Sequence, residues 1–140
     1  MPPKHRALVV DDHPDAADTI AILLRLLGHE SVAVTTGDAA LEAARTSSFD
    51  IAIVDIGLPD VSGHEVARVL RRLPSGPTMY LAAVSGWGQP EDRVRALAAG
   101  FDHHFLKPID RVVVERIVEL ARCAAASRLP PATPAAPDRP

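Results

Sequence analysis

The chain has 140 residues, a formal net charge of −3 at pH 7 and 47% hydrophobic residues. This length suits one domain with a buried core, and the hydrophobic content excludes a chain that is disordered throughout. The mild negative charge argues against a nucleic-acid-binding protein, because such proteins present basic patches. The single cysteine, Cys123, excludes an internal disulfide and a cysteine-based metal cage.

The start of the chain and its apolar segments predict neither export nor membrane insertion. Residues 1–6 carry prolines and charges without a long apolar run, so no secretory signal is indicated. No stretch approaches the roughly 20 apolar residues that cross a bilayer as a helix. We therefore expect a soluble, cytoplasmic protein that does not contact a membrane.

Short apolar runs of strand character alternate with segments of helical spacing. The five predicted strands are Ala7–Val10, Ser31–Val34, Ile51–Val54, Met79–Val84 and His104–Leu106. Three helices are indicated by apolar stripes, formed by Ile20, Leu23, Leu24 and Leu27, by Val66, Val69, Leu70 and Leu73, and by Val113, Ile117 and Leu120. Two weaker helices are predicted at Ala39–Arg45 and Glu91–Ala99.

Residues that favour helix ends lie where these elements meet. Gly28 and Gly100 follow predicted helices, at positions where glycine favours a left-handed C-cap. Ser62 and Glu65 have the spacing of a capping box, and Pro90 suits the first turn of a helix. These signals agree with the alternation of strands and helices.

Strands that alternate with helices predict crossover connections and a parallel sheet. Ile51–Val54 lacks polar alternation, as expected for a strand that is covered on both faces. Five such units predict an α/β fold, a doubly wound five-stranded parallel sheet with five helices. Residues 127–140 are mostly proline, alanine and charge, and we interpret them as a disordered tail after one domain of residues 1–126.

Polar side chains follow four predicted strands at their carboxyl ends, where open parallel sheets bind ligands. Asp11 and Asp12 end the first strand and Asp55 ends the third. Ser85 ends the fourth and Lys107 the fifth. Three carboxylates this close would repel one another, and a hard cation such as Mg²⁺ would relieve the repulsion. Since a carboxylate can act as a nucleophile, the pattern predicts a site that accepts a phosphoryl group.

Each of these residues also has a purely structural interpretation. The two adjacent aspartates, Asp11 and Asp12, suit a solvated turn, and Asp55 suits a helix N-cap or turn. Ser85 suits an ordinary loop, and Lys107 suits the surface before a proline that starts a helix. We favour the functional interpretation because all of these groups fall at the same edge of one predicted sheet.

Four stretches of the chain resemble the receiver domain of bacterial response regulators, which has a chemotaxis-regulator-like fold. They are LVVDDHPD, FDIAIVDIGLPDVSGHEVAR, AVSGWG and ALAAGFDHHFLKPID. The resemblance spans Arg6 to Ala124. It implies a flavodoxin-like sheet of strand order 2-1-3-4-5, an order that the pattern alone does not determine, with Asp55 on the middle strand.

The resemblance assigns roles to the candidate residues. Asp55 would be the phosphorylated side chain and would also bind the metal. The expected metal is Mg²⁺, for which Mn²⁺ can substitute. Asp12 would bind the metal directly, Asp11 would act on it through water, and Gly57 would offer its main-chain carbonyl. Lys107 would bond a phosphoryl oxygen.

Further roles concern the surroundings of the phosphoryl group. Pro108 would hold its peptide bond in the cis form that aims the preceding lysine. Ser85 would move to the phosphoryl group, and the residue at the family's switch position would follow it inward. That position usually carries tyrosine or phenylalanine, but here it is His104, which adds a group that titrates near neutral pH. A passive ring at the strand end is the alternative.

Two other residues near the predicted site have open interpretations. Trp87 lies on the rim, where it would either shield the acyl phosphate from water or contact a partner. His13 follows the acidic pair, and we interpret it as a solvent-exposed loop residue that borders the site.

The resemblance implies a phospho-acceptor of a two-component or phosphorelay system, which catalyses only its own phosphorylation and dephosphorylation and is not otherwise an enzyme. Its expected partners are a histidine kinase or histidine phosphotransfer protein and an unidentified protein target, without direct DNA binding. The residues after Ala124 are too few for an effector domain, so we expect output through protein contacts. A phosphorelay intermediate, or a phosphate sink without a dedicated target, is the alternative.

Other protein classes share parts of this pattern. A dehalogenase-type phosphatase also uses a nucleophilic aspartate with Mg²⁺, but it places two aspartates two residues apart, whereas Asp11 and Asp12 are adjacent. Rossmann and P-loop enzymes carry glycine-rich signatures after the first strand, and neither signature occurs here. A receiver that works without phosphorylation is disfavoured because all five site residues are present.

Overall fold

The computed structural model describes residues 4–86 and 90–128. Five strands alternate with five helices along the chain. The strands are β1 (Arg6–Val10), β2 (Glu30–Val34), β3 (Ile51–Asp55), β4 (Tyr80–Ser85) and β5 (His103–Leu106). The helices are α1 (Pro14–Leu26), α2 (Gly37–Thr46), α3 (Gly63–Arg72), α4 (Pro90–Ala99) and α5 (Arg111–Arg128), and a short 3₁₀ helix precedes β4 at Gly76–Thr78.

All strand pairs are parallel, and the spatial order of the strands is β2-β1-β3-β4-β5. The register aligns Val10 with Val54, and Asp55 with Val84, so the carboxyl ends of the central strands lie at one edge. The predicted fold class and the strand order implied by the resemblance are both confirmed.

The sheet separates two hydrophobic cores, and successive side chains of each central strand enter opposite ones. Leu8 and Val10 of β1 pack on the side of α2, α3 and α4, whereas Ala7 and Val9 pack on the side of α1 and α5. Every residue of β3 is buried. This burial on both faces explains why the central strand is continuously apolar up to Asp55.

The predicted helix ends are found in the structure. Gly28 and Gly100 adopt positive φ angles of 93° and 114° after α1 and α4, the conformation that glycine adopts without steric cost. Ser62 Oγ accepts a hydrogen bond from the N–H of Glu65 at 3.2 Å, which caps α3. Pro90 is the first residue of α4.

Some element ends differ from the predictions by one or two residues. β4 begins at Tyr80 rather than Met79, because the Met79 N–H closes the preceding 3₁₀ turn onto the Gly76 carbonyl. Helix α5 continues to Arg128, two residues past the boundary expected at residue 126. The rest of the predicted tail, residues 129–140, lies outside the described residues. Among the described helices, none combines the length and apolar character that a bilayer crossing requires.

Two buried histidines meet at the amino-terminal end of the sheet, opposite the polar edge. His29 Nδ1 accepts a hydrogen bond from the N–H of His5 at 3.0 Å, and the two ring centroids are 5.3 Å apart. Burial lowers the pKa of His29, and the nearby charges of His5 and Arg122 lower it further. The fold therefore favours the neutral form of the His29 ring.

We expect the thermal stability of the chain to fall as the pH is lowered from 7.5 to 5.5. The His29 ring takes up a proton near pH 6.5 in the unfolded chain but only at lower pH in the folded chain, so its contribution is present above that range and lost below it. His29→Asn keeps a hydrogen-bond acceptor without a titrating group. Melting temperatures across this range should show a smaller loss for His29→Asn than for wild type or for a matched variant of an exposed histidine, His103→Asn. An unchanged loss in His29→Asn would contradict this assignment.

Candidate functional site

The carboxyl edge of the sheet brings together side chains from three strand ends. Asp11 follows β1, Asp55 ends β3 and Lys107 follows β5. The Lys107 Nζ atom lies 3.0 Å from Asp55 Oδ2 and 3.2 Å from Asp11 Oδ2. The expected convergence of carboxylates and ammonium at this edge is therefore present in the fold.

Lys107 compensates two carboxylates that are almost fully buried. Asp11 is 2% exposed and Asp55 is 6% exposed, so neither charge is stabilised by bulk water. Burial by itself would lower the pKa of Lys107, but hydrogen bonds to Asp55 and Asp11 outweigh that effect and raise it. Lys107 therefore stays charged at neutral pH. With Asp12 included, the acidic groups still outnumber this ammonium, which favours a further cation at the site.

The carboxylate of Asp55 is held at both oxygens. Its Oδ1 accepts a hydrogen bond from the N–H of Gly57 at 2.8 Å, while its Oδ2 contacts Lys107. Gly63 packs so closely behind the loop that a Cβ there would lie 2.4 Å from the Ile56 Cα and 2.6 Å from the Asp55 carbonyl oxygen. The loop after β3 is thus folded tightly against the acidic strand end.

Asp60 connects this loop to the neighbouring helix α2. Its two carboxylate oxygens accept hydrogen bonds from the N–H groups of Gly37 and Asp38, at 3.0 and 3.1 Å. These bonds lower the pKa of Asp60. Aspartate is common in turns, but the sequence does not indicate this contact across 23 residues, which depends on how α2 and α3 pack.

The residues that follow β1 offer donor atoms suited to a divalent cation. One ligand atom each from Asp11, Asp12 and His13 lie within 4.8 Å of one another. Asp12 is partly exposed, with 31% of its side-chain surface accessible. Carboxylate oxygens are the donors that Mg²⁺ prefers, so the two aspartates of this set fit the ion that the resemblance implies. Gly57, two residues after the end of β3, donates its N–H to Asp55.

Ser85 and His104 are in direct contact. Ser85 Oγ lies 2.7 Å from His104 Nε2, and Ser85 is buried. Burial lowers the pKa of His104, as does the charge of Arg93, while Asp92 acts in the opposite direction. The ring expected to follow Ser85 inward thus already contacts its hydroxyl in this structure.

His103 precedes His104 in β5. Successive side chains of a strand face opposite sides of the sheet, so the His103 ring lies on the other face. Its Nδ1 lies 2.8 Å from the hydroxyl of Tyr80, which is buried in the core formed with α1 and α5. The two adjacent histidines therefore do not form a metal pair.

Two further residues complete the predicted set. The peptide bond between Lys107 and Pro108 is cis. Trp87, predicted on the rim, lies outside the described residues.

Beside the site, a cavity of about 620 Å³ opens between the start of α1 and the segment after β5, and His13, Ala16, Ile20, Pro108 and Ile109 are among its lining residues.

Comparison with known proteins identifies the family. A family model described as the response regulator receiver domain matches residues 7–119. The transcriptional regulatory protein KdpE of Mycobacterium tuberculosis is 35% identical over 124 residues, which cover 87% of this chain and 54% of KdpE. The chain therefore spans about half the length of that relative.

Two solved structures extend the comparison. A CheY-like receiver domain from Methylobacillus flagellatus has a TM-score of 0.74 and 35% sequence identity, covering 85% of this chain and 99% of that one. The receiver domain of a sensor histidine kinase from Pseudomonas aeruginosa, described with a magnesium ion in its active-site cleft, has a TM-score of 0.77 and 26% identity, covering 86% and 99%. The chain belongs to the response regulator receiver domain family, and it is a receiver domain of two-component signalling. The predicted family is confirmed.

Proposed function

We propose that Asp55 accepts a phosphoryl group from the phosphohistidine of a histidine kinase or histidine phosphotransfer protein, with Mg²⁺ bound by the neighbouring acidic residues. The arrangement of Asp55 carries this proposal. Its carboxylate is buried at the carboxyl end of the central strand, oriented by the Gly57 N–H and paired with Lys107. The same lysine also contacts Asp11.

Phosphoryl transfer needs positioning and charge neutralisation more than covalent help from the protein. The bond between phosphorus and the donor's histidine nitrogen breaks as a bond to an Asp55 carboxylate oxygen forms. The ammonium of Lys107 neutralises negative charge on the transferred group. Asp12, Asp55 and the Gly57 carbonyl would hold Mg²⁺ directly and Asp11 would act through water, and the ion supplies further charge neutralisation when bound.

The donor protein needs access to this edge of the sheet. The cavity beside Asp11 and Lys107, lined by apolar side chains such as Ile20 and Ile109, would provide a groove next to the lysine that contacts the acceptor carboxylate. Magnesium in the related kinase receiver supports the same metal here. Phosphorylation and dephosphorylation of Asp55 would be the only reactions that the chain catalyses.

We place the output surface on α4, β5 and α5. Large apolar side chains are exposed there, with accessible fractions of 67% for Val94, 55% for Leu97, 49% for Leu106 and 70% for Val112. Exposed apolar patches mark sites of protein contact. Phosphorylation would draw Ser85 toward the phosphoryl group and so alter its contact with His104, biasing this surface between two states.

Output through a protein target, without direct DNA contact by this domain, fits the mild negative charge of the chain. KdpE is described as a transcriptional regulator, and the match covers only about half of it, so that description does not extend to this domain by itself. The receiver would extend to the end of α5, at Arg128, rather than end at residue 126. A phosphorelay intermediate is the second candidate, favoured by the similarity to the receiver of a sensor histidine kinase.

The proposal is tested by incubating the purified chain with acetyl phosphate and Mg²⁺ and measuring phosphoryl incorporation by intact-protein mass spectrometry. We expect one phosphoryl group per chain. When EDTA is present from the start to remove the metal, we expect no incorporation. Incorporation that proceeds equally well with EDTA would contradict the metal requirement.

A separate prediction concerns His104. The neutral ring can accept the Ser85 hydroxyl proton at Nε2, whereas the protonated ring can only donate there, so the contact changes when the ring is protonated, which the lowered pKa of the buried His104 ring shifts to a pH below the ordinary histidine range. We expect NMR shifts of the α4–β5–α5 amides on phosphorylation to depend on pH between 5.5 and 7.5 in wild type and much less in His104→Phe. His103→Phe serves as the matched control. Identical pH dependence in wild type and His104→Phe would mean that the His104 ring is passive in switching.

A further inference from the structure

We propose that His13 is an additional ligand of the divalent-cation site and shifts its preference toward first-row transition-metal ions over Mg²⁺. This inference rests on the proposed function, because it concerns the same cation. It adds a nitrogen donor from a residue that the sequence places only in an exposed loop.

The distances around His13 match those between neighbouring metal ligands. Its Nδ1 atom lies 3.3 Å from Asp12 Oδ1 and 3.5 Å from Asp11 Oδ1. Adjacent ligands of an octahedral ion with bonds of about 2.1 Å are separated by roughly 3 Å. A small movement of the ring nitrogen would therefore place it beside the Asp12 oxygen around one ion, close to the oxygen of Asp11.

The backbone holds the ring over the acidic pair. The N–H of His13 donates to Asp11 Oδ1 at 3.0 Å, so this residue is tied to the same carboxylate that its ring approaches. His13 is the N-cap residue of α1, and Pro14 begins the helix directly after it. The His13 side chain is 73% accessible, which leaves the ring open to an ion arriving from solvent.

In the two buried carboxylates, Asp11 and Asp55, the oxygens that do not face His13 contact other groups. Lys107 contacts Oδ2 of both Asp11 and Asp55, and Asp55 Oδ1 is used by the Gly57 N–H. Oδ1 of Asp11 and Oδ1 of Asp12 are the oxygens that face His13. One oxygen of each adjacent carboxylate therefore lies near the imidazole nitrogen, while the ammonium contacts the other oxygen of Asp11.

The donor types decide the expected selectivity. Imidazole binds cobalt, nickel and zinc ions well, whereas Mg²⁺ binds oxygen donors and retains water in preference to nitrogen. A positively charged His13 ring that occupies the cation site would have the opposite effect, because its removal would strengthen the binding of every divalent ion. The ligand role and the counter-charge role of His13 therefore predict opposite changes in metal affinity when the ring is removed.

The test compares wild type, His13→Ala and the matched exposed variant His103→Ala by isothermal titration calorimetry with Co²⁺ and with Mg²⁺. We expect His13→Ala to lower Co²⁺ affinity at least roughly tenfold, the scale of losing a metal-site partner, and to change Mg²⁺ affinity by less than about twofold. His103→Ala should match wild type. Pulsed EPR of bound Mn²⁺ should show nitrogen coupling from an imidazole in wild type and His103→Ala, and none in His13→Ala.

Equal losses for the two ions, or no change in their affinity ratio, would overturn the ligand assignment while leaving the cation site intact. Stronger binding of both ions to His13→Ala would overturn it in favour of the counter-charge role. If wild type binds neither ion, the proposed cation site itself fails and the inference fails with it. Circular dichroism of each variant confirms that the fold is retained.

Discussion

Asp55→Asn is expected to lower phosphoryl incorporation from acetyl phosphate at least about 100-fold, to the background of the assay. The amide oxygen can still accept the hydrogen bond from the Gly57 N–H, so the loop after β3 should keep its conformation. The amide is a poor nucleophile and carries no charge to pair with Lys107. The loss would therefore report on chemistry rather than on folding.

Asp60→Asn is the matched control, because Asp60 is a carboxylate on the same loop that contacts α2 instead of the site. It should retain phosphoryl incorporation close to that of wild type. Incorporation into Asp55→Asn at the wild-type rate would mean that another residue accepts the group.

Gly63→Ala is expected to destabilise the chain by about 3 kcal/mol and to reduce phosphorylation as well. The new Cβ would lie 2.4 Å from the Ile56 Cα and 2.6 Å from the Asp55 carbonyl oxygen. Both neighbours are backbone atoms at the end of the central strand, so relief requires movement of the loop that orients Asp55. Urea denaturation measures the first effect, and labelling under native conditions measures the second.

Gly86→Ala provides the control for this substitution, since a Cβ at Gly86 would meet no atom of the described residues within 4 Å. Its free energy of unfolding should lie within about 0.5 kcal/mol of wild type. Equal stability of Gly63→Ala and Gly86→Ala would contradict the tight packing behind Asp55.

The fold was predictable because its local signals agree with one another. The continuous apolar run before Asp55 indicates a strand buried on both faces, and that strand is the centre of the sheet. Gly28 and Gly100 mark helix ends that have positive φ angles. Strand order came from family resemblance, because an alternating pattern is compatible with several orders of parallel strands.

The polar edge was predictable for a similar reason, since parallel strands place their carboxyl ends together. This rule brings Asp11, Asp55 and Lys107 to one edge, where the structure shows them in contact. It does not give the direction of each side chain. For that reason the contact of Ser85 with His104 at 2.7 Å was not foreseen.

Contacts between elements distant in sequence also escaped prediction. Arg71 donates to the main-chain carbonyl of Gly100 at 2.8 Å and pairs with Asp102 at 2.9 Å, which ties α3 to the segment before β5. The carboxylate of Asp60 similarly reaches the start of α2. Such contacts depend on how neighbouring helices pack on one face of the sheet, and no local pattern in the chain encodes them.

The most direct test of the proposed function is to locate the phosphoryl group on the wild-type chain. The chain is incubated with acetyl phosphate and Mg²⁺, the acyl phosphate is trapped by borohydride reduction, and the peptides are sequenced by tandem mass spectrometry. The proposal predicts modification of Asp55 alone. Modification of a different carboxylate, or an unmodified Asp55 after saturating treatment with Mg²⁺ bound, would contradict it.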